Sequence, residues 1–291
     1  ASDRALALYD ELLASRLISY EFAGGTIGNT LHNYSLLADD ASILLGVMSE
    51  TIRVGTSGYR YLSNTSSQVN LDHLQPVDGP IGRCFALVTP DGERTFAISE
   101  GKMNALAPAS IPEAVFDDAS ALVISAYLMR CQPDDPMPAA TLRAVGLARA
   151  RGVPVVLTLG TRFVIAERPD FWRGFIRDHV DVVAMNEEEA EALTGVADPL
   201  LACERALDLT ELVLCTAGPI GLYLADRYAY GRLAPRVDDP ARGTYLRWSF
   251  FAPSVIEPGA MAKRAGWEFK ASQAGWGEHE AMLSAMESAV A

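Results

Sequence analysis

From residue 111 onward, this 291-residue chain alternates short apolar runs with longer amphipathic ones, and that alternation leaves few folds open. Ala121–Leu128, Pro154–Leu159, Val180–Met185, Glu211–Thr216 and Gly221–Ala225 read as strands. Between them, Ile111-Pro112-Glu113 opens a short helix and Pro138–Arg151 reads as a helix ended by Gly152. Phe163–His179 reads as one helix with Phe171, Trp172 and Phe175 to bury, Glu187–Leu193 as a helix stopped by Gly195, and Pro199–Leu207 as another. Strands separated by helices pair in parallel, with right-handed crossovers. The expected fold class is therefore α/β, built on a central, mostly parallel sheet. In such sheets ligands bind beyond the carboxyl ends of the strands, so the residues that follow each strand are the ones to inspect.

The first hundred residues are less regular. Residues 3–17 read as a helix, with Ser2 or Asp3 as cap and Leu6, Tyr9, Leu13 and Leu17 on one face. Thr26–Ala38 reads as a second helix and Ala41–Met48 as one buried strand. Residues 49–78 suggest a short helix and loops. Cys84–Thr89 and Arg94–Ser99 alternate like strands around Pro90-Asp91-Gly92-Glu93, which predicts a hairpin, either a small lid or an edge hairpin of the main sheet.

Composition narrows the function. With 49% hydrophobic and 21% charged residues the chain is core-forming, and a net charge of −13 argues against a broad cationic surface for nucleic acid. A local basic pocket for an anion stays open. Cys84, Cys131, Cys203 and Cys215 have no CxxC spacing and read as reduced, mostly buried thiols, which places the protein in the cytoplasm. His32, His73, His179 and His279 are scattered, so a zinc site is not expected. No apolar run reaches the roughly 18 residues of a membrane span. The start of the chain has no basic region followed by an apolar core, so no signal peptide is expected.

Three short motifs carry chemistry. In Gly24-Gly25-x-x-x-Asn29, two glycines let backbone approach a bound group without Cβ atoms in the way. Asn29 follows one turn later, with an amide that both donates and accepts. The combination suits a neutral diol such as that of a sugar; a glycine turn before an ordinary helix is the plainer alternative. Asn186 ends its strand and opens Asn-Glu-Glu-Glu, so Glu189 shares its face of the helix. A carboxylate there can hold a magnesium-bound water, although the helix dipole alone also favours acids in a first turn. Thr216-Ala-Gly218-Pro-Ile-Gly221 follows another strand, with a hydroxyl and open backbone that suit a nucleotide phosphate. Taken singly, it is equally a tight glycine turn between strands.

In this order, the three motifs together resemble the ribokinase-like (pfkB) family of carbohydrate and nucleoside kinases. Longer phrases narrow the resemblance to its bacterial members acting on inosine and guanosine: Phe22–Tyr34, Asp78–Phe85, Gly92–Ser99, Leu157-Thr-Leu-Gly160, Ala184–Gly195 and Leu214–Tyr223. The similarity spans about residues 5–225. It implies a three-layer sandwich with a small β lid, over residues 1–226 with the lid at about 80–100. It implies transfer of the γ-phosphoryl group of ATP, with Mg²⁺, to the ribose 5′-hydroxyl of a purine nucleoside, inosine or guanosine, in purine salvage. By the match, Gly24, Gly25 and Asn29 would hold the ribose diol. Asn186 and Glu189 would position magnesium and phosphate, Glu189 through water, and Thr216, Gly218 and Gly221 would line the ATP site. The lid would close over the sugar, and a homo-oligomer is compatible with the family.

The family carries its catalytic base in a Gly-Ala-Gly-Asp motif, and no Gly-x-Gly-Asp exists here. The nearest phrase is Gly275-Trp276-Gly277-Glu278, which makes Glu278 the candidate base or, alternatively, part of a glycine turn capping a surface helix. Residues 227–291 are read as a diverged or incomplete C-terminal segment. Two other functions therefore stay open: a nucleoside-binding protein without turnover, and a sugar kinase of the same family. A dinucleotide oxidoreductase is disfavoured, because no Gly-x-Gly-x-x-Gly follows a first strand.

Overall fold

A computed structural model describes residues 2–18, 24–37, 41–49, 69–80, 82–89, 94–130, 134–218 and 221–226, with Pro240 and Ser284. The chain forms two compact units, Ala1–Gly160 and Thr161–Ala291.

In the first unit, α1 spans Ser2–Ala14 and α2 spans Thr26–Leu37. The single buried strand expected at 41–48 is instead two short strands, β1 (Ser42–Ile43) and β2 (Gly46–Ser49). They pair in parallel with β3 (Val69–Asn70) and β4 (Leu74–Val77) respectively. The break has a cause on the partner side: the Asp72 N–H donates to Asn70 Oδ1 at 2.7 Å, and the resulting Asx turn interrupts the ladder between β3 and β4. Ile43 is accordingly exposed, and the tail of the stretch expected as helix and loops is strand. Residues 50–68 lie outside the described residues. Gln75 of β4 then clasps the following chain: its Nε2 donates to Ala105 O at 3.2 Å, while its Oε1 accepts from Ala107 N and Ser110 Oγ at 2.9 and 2.8 Å.

The predicted hairpin forms as β5 (Arg83–Val88) and β6 (Arg94–Ser99), antiparallel with Arg83 opposite Ser99. Its turn, 90–93, lies outside the described residues. The alternation has a physical meaning. Phe85 meets Tyr9 of α1 with ring centroids 6.0 Å apart, and the Arg83 guanidinium lies 4.2 Å from the centre of the Tyr9 ring, so α1 covers one face. Val88, Phe96 and Ile98 are exposed.

β7 (Leu122–Ser125) ends three residues earlier than expected, because Ala126–Met129 forms a 3₁₀ turn. α3 (Met137–Ala150) packs Ala140, Ala144, Val145 and Ala148 inward, and β8 (Val155–Thr158) pairs in parallel with β7. Leu157 and Leu159 are fully buried here.

In the second unit, the expected helix 163–179 is two, α4 (Arg162–Glu167) and α5 (Pro169–His179). Pro169 is the reason. It has no N–H to continue the ladder and disfavours helical geometry at Arg168, which adopts φ −146° and ψ 62°. Trp172 is fully buried, and its indole N–H donates to Val164 O at 3.0 Å, fastening α5 to α4 across the break. β9 (Val182–Asn186), α6 (Glu187–Thr194), α7 (Pro199–Ala206), β10 (Leu212–Thr216) and β11 (Leu222–Asp226) complete the unit. β9 and β10 are parallel, and β11 runs antiparallel to β10. α6 stops at Gly195, whose φ of +76° favours glycine, as the sequence predicts.

Replacing Trp172 by Ala removes both its buried volume and its hydrogen bond, so Trp172→Ala should cost about 3–5 kcal/mol. A shift of that size in urea denaturation is expected; one under about 1 kcal/mol would show that Trp172 does not anchor this unit.

Candidate functional site

The second unit carries the Asn186-x-x-Glu189 and Thr216–Gly221 motifs. The parallel register pairs Asn186, the last residue of β9, with Thr216, the last residue of β10. Two motifs 30 positions apart in the chain therefore end side by side at the carboxyl edge.

Asn186 and Glu189 form a reciprocal cap at the start of α6. Asn186 Oδ1 accepts from the Glu189 N–H at 2.8 Å; in return, Glu189 Oε2 accepts from the Asn186 N–H at 3.0 Å and Oε1 from Asn186 Nδ2 at 3.1 Å. Glu189 is only 4% exposed. Burial pushes its carboxyl above the ordinary 4.5; the Asn186 backbone hydrogen bond pulls it down, and Glu188 and then Glu187 push it up again, leaving a net rise.

The Thr216–Gly221 segment is a tight turn. Ala217 N–H donates to Gly221 O at 2.7 Å, and Gly221 N–H to Gly218 O at 3.2 Å. Thr216 and Gly218 are exposed at the edge, whereas Gly221 is buried. Gly221 has φ +117°, so its glycine is explained by the backbone alone. A Cβ on Gly218 would stand 3.7 Å from Glu187 Oε1, which brings that carboxylate onto the same turn.

The donor set is all oxygen: carboxylates at Glu187 and Glu189 and the Thr216 hydroxyl. That chemistry fits a hard divalent cation such as Mg²⁺. Each Glu189 oxygen accepts one hydrogen bond from Asn186 and retains a lone pair for a metal-bound water. Among the described residues, no group of three or more His, Cys, Asp or Glu side chains is placed to hold a metal ion directly.

The Gly24-Gly25-x-x-x-Asn29 motif belongs to the first unit. Gly24 and Gly25 precede α2, and Asn29 lies in its first turn, with its N–H donating to Gly25 O at 2.8 Å. Gly25 has φ +104°, in the region that favours glycine. No described atom lies within 4 Å of a Cβ placed on either glycine, and Asn29 is exposed. α2 packs against β7. Glu278, the candidate base, lies outside the described residues, as do residues 227–239 and nearly all that follow.

Tyr127 and Gly160 lie outside the three motifs. Tyr127 falls inside the strand expected to reach Leu128, and Gly160 ends an apolar run like any other turn glycine. They meet at the carboxyl edge of β7 and β8, where the Tyr127 hydroxyl donates to Gly160 O at 3.4 Å.

Cys84, Cys203 and Cys215 are free thiols. Cys203 and Cys215 are fully buried, as expected, whereas Cys84 is exposed; Cys131 lies outside the described residues. No helix of the described residues is long and apolar enough to cross a membrane.

Residues 44–237 match the profile of the pfkB family carbohydrate kinases. Over 223 residues the chain is 63% identical to the guanosine-inosine kinase of Escherichia coli K12, a match covering 77% of this chain and 51% of that protein. The chain thus spans about half the length of the curated relatives it matches. Among solved structures, adenosine kinase from Sinorhizobium meliloti aligns with a TM-score of 0.64 at 26% identity, over 78% of this chain and 67% of that one. Anopheles gambiae adenosine kinase gives 0.65 at 21%, over 78% and 73%, a likeness of fold.

The raised Glu189 value has a stability consequence. Its folded pKa exceeds its unfolded one, so the contribution is fully present below pH 4.5 and is lost as pH rises through the folded value. Glutamine keeps the cap geometry without the charge. Urea denaturation over a pH series should therefore show stability falling across that interval in the parent and not in Glu189→Gln; equal slopes would refute the assignment.

Proposed function

Because this chain belongs to the pfkB family of carbohydrate kinases, we propose that it transfers the γ-phosphoryl group of MgATP to the ribose 5′-hydroxyl of guanosine or inosine. The observation that carries this reading is the Asn186–Thr216 register, which sets both phosphate-side motifs at one carboxyl edge. The identity to a guanosine-inosine kinase supports the choice of acceptor.

In this reading the 5′-oxygen bonds to the γ-phosphorus, the bond from that phosphorus to the β–γ bridging oxygen breaks, and ADP leaves. Glu278 takes the hydroxyl proton. Gly24, Gly25 and Asn29 hold the ribose diol. Thr216 and Gly218 face the phosphates, and the buried Gly221 holds their turn closed. Asn186 orients Glu189, which would hold Mg²⁺ through water. The metal supplies charge neutralisation at the transferring phosphoryl group, since such transfer depends mainly on alignment and electrostatics. The hairpin β5–β6 acts as a lid over the sugar. The free thiols fit a reducing compartment, and the cytoplasm is the proposed location.

The test is phosphate transfer from radiolabelled ATP with Mg²⁺ to guanosine and inosine, with ribose as comparison. Nucleoside 5′-monophosphate formed by the parent and lost in Glu278→Gln is the expected result. Guanosine binding without product would replace the kinase by a nucleoside-binding protein, and preference for ribose would replace it by a sugar kinase. Glu189→Gln should raise the Mg²⁺ concentration needed for half-maximal turnover. By calorimetry, Asn29→Ala should weaken guanosine binding by about 1–3 kcal/mol, because ribose hydroxyls lose their partner. Unchanged affinity would remove α2 from the site.

A further inference from the structure

The amino ends of β9 and β10 meet through a side chain. Thr210 stands two residues before Leu212, and Val180 two before Val182, the residues of the first register pair. The Thr210 hydroxyl donates to Val180 O at 3.0 Å, and Thr210 is only 3% exposed. The next two amides, of Glu211 and Leu212, both donate to Asp181 O, at 3.2 and 3.1 Å. Val180 itself ends α5, with its N–H donating to Ile176 O at 2.9 Å, so the carbonyl that Thr210 takes belongs to a fixed corner. The count along each strand is then the same: Val180 to Asn186 and Thr210 to Thr216 are both steps of six residues. A rung that sets Thr210 beside Val180 therefore sets Thr216 beside Asn186 at the far end.

In a hairpin the turn fixes register. β9 and β10 are parallel and joined through α6 and α7, so no turn sets how far β10 has advanced when it meets β9. The buried alternation of Val183 and Met185 with Val213 and Cys215 opposes a slip of one residue, which would turn these side chains to the other face. It leaves the fine advance of one strand along the other to the first rung. We infer that Thr210 is a positioning residue for the carboxyl edge, holding Thr216 level with Asn186 so that both meet the same nucleotide. It touches no substrate and acts through the strand. This rests on the kinase reading above and adds to it the residue that aligns its phosphate side.

The experiment is calorimetry of MgATP and, separately, of guanosine on the parent, Thr210→Val, Thr210→Ser and Ile176→Val, with urea denaturation of each. Thr210→Val keeps the shape and removes the donor; it should weaken MgATP by roughly fivefold, the order of one buried hydrogen bond. Guanosine, whose proposed motif lies in the first unit, should bind as it does to the parent. Thr210→Ser restores the hydroxyl and should bind MgATP as the parent does. Ile176→Val trims a fully buried side chain of the same unit, and should lower the urea midpoint without changing MgATP affinity. If Thr210→Val does not fold, Thr210→Cys, with its weak S–H donor, carries the comparison. Parent-like MgATP binding by the valine variant overturns the inference. So does an equal loss in Ile176→Val, which would make Thr210 a structural support only. A parent that does not bind MgATP refutes the phosphate-side reading and the inference with it, a different result from a parent that binds and a valine variant that matches it.

Discussion

The parallel pairing of β9 with β10 is the constraint on which the arrangement of the second unit's motifs depends. Residue-for-residue register from Val182 with Leu212 to Asn186 with Thr216 makes both strands end at the same level. Everything beyond that level follows from local rules. Asn186 caps α6, the three acids occupy a first turn where the helix dipole favours them, and the Thr216 turn closes on itself through Ala217 and Gly221. A slip of one residue would send Asn186 and Thr216 to opposite faces of the sheet and separate the two motifs.

The capping box has two roles at once. The hydrogen bonds that begin α6 also bury Glu189, with its charge cost offset, among the described residues, by Asn186. A carboxylate held this way is oriented but poorly compensated, and its raised pKa is the sign of that. A divalent cation nearby would reverse the balance by favouring the ionised form. The fold thus keeps a buried carboxylate in place at a modest cost, which suits the Mg²⁺-binding role proposed for it.

Glycines divide by the same physical test. Gly25, Gly160, Gly195 and Gly221 hold backbone angles that L residues rarely adopt, and these positions lie in turns or at helix ends. Only some have a steric demand as well. Gly160 must leave room for the Tyr127 ring, while Gly24 and Gly25 face open space among the described residues. The openness would suit the proposed sugar site; the crowding restrains the Tyr127 ring.

Much of the fold was legible in the residue order. The alternation after residue 111 determined the strands and most of the helices, because hydrophobic period and the stop signals at Gly152 and Gly195 are local properties. Asn186-x-x-Glu189 likewise announced its helix start, since a capping box needs only four residues. Where local signals failed, a neighbour decided. Pro169 split a helix whose apolar period continued across it, and the Asx turn at Asn70–Asp72 split the apolar run at 41–48 by interrupting its partner. Tertiary structure alone decided that Asn186 and Thr216 end level, that Glu189 is buried rather than solvated with the acids beside it, and that Tyr127 leaves its strand to rest on Gly160. Register, burial and ring seating arise from contacts between residues far apart in the chain, and no short window of sequence contains both partners.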